Sequence, residues 1–194
     1  SPSGLVISNA IYREVIPREI TYVTQLNFES TYEPSWYILP DGRLDMEKLL
    51  SAFGEFFREH SEHWVERFDY KEAGPQLLIQ AFFQRIINGG GRVEREYGLG
   101  RKRTDLLLIW PLNGRLDNPG VQRQKVVLEL KIVHHSLERT ITEGLEQTAS
   151  YMDRSGTEEG HLIVFDRDPH KPWDEKIFRR EESFEGWKIT VWGM

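Results

Sequence analysis

The 194-residue chain contains no cysteine. That single absence excludes disulfides, thiolate nucleophiles and cysteine-ligated zinc, so any metal must be held by oxygen or imidazole. No apolar run approaches the ~18 residues that a membrane span requires, and no span is expected. A Gly-x-x-x-x-Gly-Lys-Ser/Thr phosphate loop is missing, so this polypeptide alone is not expected to hydrolyse ATP. Gly-x-Ser-x-Gly, His-Glu-x-x-His and the dinucleotide fingerprint are missing as well, so the enzyme classes built on them have no support in this chain. Internal repeats and low-complexity segments are also lacking. The opening Ser1-Pro2-Ser3-Gly4 carries neither a methionine nor a signal-peptide pattern. It reads as a cloning scar or a cut from a longer chain, and a cytoplasmic fragment is the simplest expectation.

What is present describes an ordinary globular protein, with 39% hydrophobic and 29% charged residues. Its length suits one sizeable core, or one domain with a small appendage. The net charge of -6 sits badly with a general nucleic-acid binder, whose affinity comes mostly from phosphate contacts. Its distribution softens that objection. Between positions 85 and 103 six cations, Arg85, Arg92, Arg95, Arg101, Lys102 and Arg103, face two carboxylates, Glu94 and Glu96. This stretch is either a basic rim or a solvated strand edge, where lysine and arginine are common.

Residues 101–131 organise the rest. Arg101-Lys102-Arg103-Thr104-Asp105 leads into Leu106-Leu107-Leu108-Ile109-Trp110. A polar segment follows, and the chain returns as Val126-Val127-Leu128-Glu129-Leu130-Lys131-Ile132-Val133. Both apolar runs read as core strands, where an unpaired charge is costly. Side chains alternate along a strand, so Glu129 and Lys131 share a face with Val127 and Val133. If the two strands pair, Asp105 at the start of the first reaches the same face. Two carboxylates and one lysine then surround a common point. Hard carboxylates suit Mg²⁺, and the lysine can position a water or neutralise charge on a phosphate. The alternative is a structural Glu-Lys ion pair near a strand end.

The wider spacing resembles a family. Asp105, then Glu129-Leu130-Lys131, then Gln147 and Tyr151 in a following helix, look like the PD-(D/E)XK nuclease superfamily in its Gln-xxx-Tyr variant. The runs at 94–101, 104–106 and 143–148 resemble the nuclease domain at the C-terminus of uncharacterised ATPase-like bacterial proteins. The resemblance covers about residues 70–166, and residues 5–20 look like the sequence preceding that domain. It implies a restriction-endonuclease-like α/β core, a mixed central sheet of αβββαβ order flanked by helices. It implies residues 1–45 as a linker or remnant of an upstream ATPase-like domain absent from this chain, and 46–194 as the nuclease-like domain with a helical addition at its start. It further implies that Asp105 and Glu129 ligate Mg²⁺ or Mn²⁺ with the carbonyl of Leu130, and that Lys131 orients the attacking water. Gln147 and Tyr151 would support Lys131 or contact a phosphate. In the superfamily a glutamate on the helix before the first strand often assists the metal, and Glu72 is the nearest match.

Taken in order, the chain offers a possible helix over 12–22 broken at Pro17, and a helix from Asp45 to about position 64 with Met46, Leu49, Leu50, Phe53, Phe56 and Phe57 at helical spacing. His60 and His63 on its last turns are a metal pair or a solvated helix end. A largely apolar helix is expected over 76–88 with Pro75 in its first turn. Gly89-Gly90-Gly91 then serves as its C-cap or, since glycine loops can cradle phosphate, as an anion loop. Strands are expected at 92–99, 104–110 and 125–133, and a Ser136-capped helix at 137–152. Gln147 and Tyr151 share one face of that helix, offset from its apolar stripe of Ile141, Leu145, Ala149 and Met152. A polar loop over 153–160, a parallel strand at 161–166, a charged connection over 169–180 and an edge strand at 187–192 complete the expectation.

The leading functional expectation is a Mg²⁺- or Mn²⁺-dependent phosphodiesterase acting on DNA. Arg95, Arg101, Lys102 and Arg103 supply its nucleic-acid contacts. The alternative is a nucleic-acid-binding or assembly module that keeps the nuclease fold and works through an ATPase partner without cutting.

Overall fold

The computed structural model describes residues 36–67, 73–87, 90–99, 102–112 and 115–194. The expected helix over 12–22 lies outside them, as do Glu72, Gly89 and Arg101. Helix α1 spans Met46–Arg67 and runs three residues past its expected end. Its start is set by Asp45, whose carboxylate accepts the Lys48 amide at 3.1 Å. Helix α2 spans Ala73–Ile87, with Pro75 inside the first turn, where a missing N–H costs nothing. The carbonyl of Ile87 accepts the amides of Gly90 at 3.0 Å and Gly91 at 2.8 Å. Gly90 sits at φ 147°, open to glycine alone, so this loop closes the helix.

Six strands follow, β1 Arg92–Leu99, β2 Lys102–Pro111, β3 Arg123–Ile132, β4 Glu159–Phe165, β5 Phe178–Phe184 and β6 Trp187–Gly193, with helix α3 Leu137–Ser155 between β3 and β4 and a short α4 Trp173–Lys176 before β5. They form one mixed sheet in the order β1-β2-β3-β4-β6-β5. β1, β2 and β3 are an antiparallel meander, and β4 runs parallel to β3, as a connection through a helix permits. The run from α2 to β4 thus has the αβββαβ order.

Strand alternation splits the core into two layers. Leu106, Leu108, Trp110, Val126, Leu128, Ile163 and Phe165 meet Phe53, Phe57, Ile79, Phe83 and Ile87 of α1 and α2. On the opposite face Leu107, Ile109, Val127, Leu162 and Val164 meet Ile141, Leu145, Ala149 and Met152 of α3. α3 is capped by Ser136 and lies close on β4, because a side chain at Gly144 would stand 2.5 Å from Leu162.

Three expectations change. β6 is not an edge strand: it pairs with β4 on one side and β5 on the other. The connection over 169–180 contains α4 and the start of β5, a strand whose Arg179-Arg180-Glu181-Glu182 core reads as solvated coil yet suits a sheet edge. Glu185 and Gly186, both at positive φ, make the tight turn into β6. The loop over 153–160 shrinks, since α3 continues to Ser155, Gly156 caps it at φ 62°, and β4 opens at Glu159.

Before α1, the amide and carbonyl of Leu44 both bond Gln124 of β3, at 2.7 and 3.3 Å. Trp110 Nε1 donates to the carbonyl of Gly42 at 2.9 Å. Residues 38–44 are thereby tied to the sheet. Among the described residues no helix is long and apolar enough to cross a membrane.

Candidate active site

The antiparallel register of β2 and β3 reaches Leu106 opposite Leu128. One step further along both strands stand Asp105 and Glu129. Asp105 is the fourth residue of β2 rather than its second, because the strand opens at Lys102 and not at Thr104. Its Oδ2 accepts the backbone N–H of Leu130 at 2.9 Å, and its Oδ1 accepts Nε2 of Gln76 from the start of α2 at 3.2 Å. Asp105 therefore joins β2, β3 and α2 at one point.

Glu129 is 2% exposed. Its Oε1 accepts Nζ of Lys131 at 2.8 Å, while Oε2 is buried with no hydrogen-bond partner. Burial pushes the Glu129 carboxyl up to about 7, the Asp105 charge adds to the rise, and the Lys131 ammonium only partly opposes it. A buried unsatisfied oxygen is costly, and either a proton or a cation relieves it. Lys131 also donates to Oε1 of Gln147 at 2.5 Å. With its side chain 24% exposed, the ammonium is anchored on two sides and still reaches solvent.

Gln147 and Tyr151 part company. Gln147 turns to Lys131, whereas Tyr151 is 5% exposed and sits in the α3 core layer beside Met152. The expectation that Tyr151 stands offset from the apolar stripe is corrected: the buried face of α3 is wide enough to include its ring. Arg95 lies on β1 opposite Leu106, and Lys102 and Arg103 lie on β2 opposite Leu99 and Gly98. Their side chains, like those of His60 and His63, fall outside the described residues. Arg92 is paired with Glu94.

Two features escaped the sequence. Gln76 is uncharged and begins an apolar helix, so nothing marked it as a partner of Asp105. The second is a cleft of 520 Å³ beside Lys131, lined among others by Gln76, His134, His135, Arg139, Glu143 and Phe165.

No group of three or more histidine, aspartate or glutamate side chains that could hold a metal occurs among the described residues. The oxygen donors that converge are Asp105 and Glu129. Two hard carboxylates of this kind suit Mg²⁺, which keeps several waters and takes one or two protein carboxylates. Comparison with family models, with curated proteins and with solved structures returned no match to this chain.

Proposed function

We propose that this chain is a Mg²⁺- or Mn²⁺-dependent phosphodiesterase that cuts DNA, built on a PD-(D/E)XK core. The observation that carries the reading is the unpartnered Oε2 of Glu129 beside Asp105, with the Lys131 ammonium held next to it by Gln147. A purely structural ion pair has no need of a second carboxylate beside it, and the Asp105 charge raises the Glu129 carboxyl further. The αβββαβ run from α2 to β4 supports the same reading.

Asp105, Glu129 and the carbonyl of Leu130 would hold the ion. When bound, it would supply Lewis acidity at the phosphate and acidify a water. The protein's own contribution is orientation. Gln76 and the Leu130 amide fix the Asp105 carboxylate, and Glu129 with Gln147 fix Lys131. An ammonium held in advance at the phosphate stabilises charge that develops in the transition state, and spends nothing on reorganisation.

One observation favours the second reading, a nucleic-acid-binding module that does not cut. Both oxygens of Asp105 already accept hydrogen bonds inside the protein, so an ion must share this carboxylate with Gln76 and Leu130. Incubation with linear and circular DNA in Mg²⁺, Mn²⁺ or chelator separates the two. The phosphodiesterase cuts only with metal, and Lys131→Ala, folded and still binding DNA, does not cut. A parent that binds DNA but cuts no DNA or RNA, with a Lys131→Ala variant that is badly destabilised, turns the reading to the binding module.

A further inference from the structure

The cleft beside Lys131 is lined by neither Asp105 nor Glu129 and has its own chemistry. Its 520 Å³ fall within the roughly 300–1,000 Å³ of small-ligand sites, room for one nucleotide unit and far short of a duplex. Lys131, His134, His135 and Arg139 line it, and Glu143 is the one carboxylate among its described lining residues. Glu143 Oε1 takes Nε of Arg139 at 2.9 Å, with the two side chains 57% and 71% exposed. The hydrogen bond from Arg139 holds the Glu143 carboxyl below its ordinary range, and the charges of Arg139, Lys131 and His135 add to that lowering. Lys131 from the end of β3, two imidazoles from the turn after it and Arg139 from α3 thus line one cleft with a single carboxylate.

The geometry points to a phosphate subsite in this cleft, where Arg139 and His135 hold the phosphate of a nucleotide adjoining the one being cut, and Glu143 takes that phosphate's place in the free protein. The subsite deepens the phosphodiesterase reading and rests on it for nucleic acid as the ligand. A guanidinium fork matches phosphate geometry in pairs of hydrogen bonds. Phosphate offers more charge and more acceptor atoms than a carboxylate. Glu143 is easily displaced, because an exposed pair one helical turn apart contributes little and both side chains reach water. Lys131 uses two of its three N–H donors on Glu129 and Gln147, so the one that remains serves the phosphate being cut, and Arg139 with His135 carries the adjoining one.

The test is calorimetric titration of the whole chain, in chelator, with thymidine 5′-monophosphate and with inorganic phosphate. Glu143→Gln removes the internal competitor and is expected to bind the nucleotide about three- to tenfold more tightly, the effect of one nearby charge in a largely solvated site. Arg139→Ala is expected to bind it about tenfold more weakly, as loss of a charge-assisted pair implies. Both positions are exposed, and a thermal melt checks that each variant folds. A Glu143→Gln chain that binds no more tightly than the parent, or an Arg139→Ala chain that binds no more weakly, overturns the subsite. Inorganic phosphate held as tightly as the nucleotide overturns its assignment to a nucleotide. Cleavage is measured separately on the same proteins. The expected order of affinities in a chain that cuts nothing upholds the subsite and removes the phosphodiesterase. Cutting without that order removes the subsite alone.

Discussion

Glu129 meets an ammonium with one oxygen and no donor with the other, and its titration follows from that imbalance. Burial and the Asp105 charge raise its carboxyl from 4.5 to about 7, so the folded chain holds this proton more tightly than the unfolded chain. Stability is fully present below about pH 4.5, declines as the pH rises, and by about pH 7 has lost on the order of 3 kcal/mol. Denaturant midpoints of the metal-free protein between pH 5 and 8 are therefore expected to fall, and in Glu129→Gln the fall shrinks by that amount. Equal slopes in parent and variant would mean that water reaches Oε2. The three charged members of this cluster were legible because strand alternation and antiparallel register fix which residues share a face. Gln76 was not, since an amide at the start of an apolar helix breaks no rule of sequence.

Helix α3 is the element that delivers Gln147 to Lys131, and the glycine one turn earlier governs how closely it lies on the sheet. Alanine is favoured over glycine inside a helix by about 1 kcal/mol. At position 144, however, a Cβ would stand 2.5 Å from the side-chain end of Leu162, which is fully buried, so any new rotamer must displace packed neighbours. Overpacking of this kind costs typically 1–3 kcal/mol, so the clash wins. Gly144→Ala is expected to melt below the parent, and a double-mutant cycle with Leu162→Ala to return a coupling of about 1 kcal/mol. A Gly144→Ala protein that melts above the parent would show that α3 can ride higher without loss. Elements with a strong period, such as α1, α3 and β3, were legible to within a few residues. β5 was not, because four consecutive charges hide an alternation that only pairing with β6 makes visible. For the same reason β6 passed for an edge, since its outer neighbour had no apolar signature.

Across the whole molecule, the sheet carries α1 and α2 on one face and α3 on the other, and the carboxylate site lies where β2, β3 and the start of α2 meet. An ion that binds there to the folded state alone raises overall stability by mass action. At a hundredfold excess over its dissociation constant the gain is about 2.7 kcal/mol. A Mg²⁺- or Mn²⁺-dependent rise in melting temperature is expected for the parent and is lost in Asp105→Ala. A rise that survives the substitution would place the ion elsewhere, with His60 and His63 the next pair to replace. The tie of Leu44 to Gln124 was invisible from either residue, because both partners spend backbone or amide groups on it rather than charge.

The N–H of Leu130 is held by the Asp105 side chain at 2.9 Å, and this sets it apart from amides held by backbone carbonyls within the sheet. Ladder amides give up their hydrogens to solvent deuterium only when strands separate, at a cost near that of global unfolding. A carboxylate can leave by side-chain rotation alone, on a far shorter timescale. The isotope exchange rate of this single amide is thus uncoupled from the opening of the sheet around it. It becomes a clock for how often Asp105 lets go.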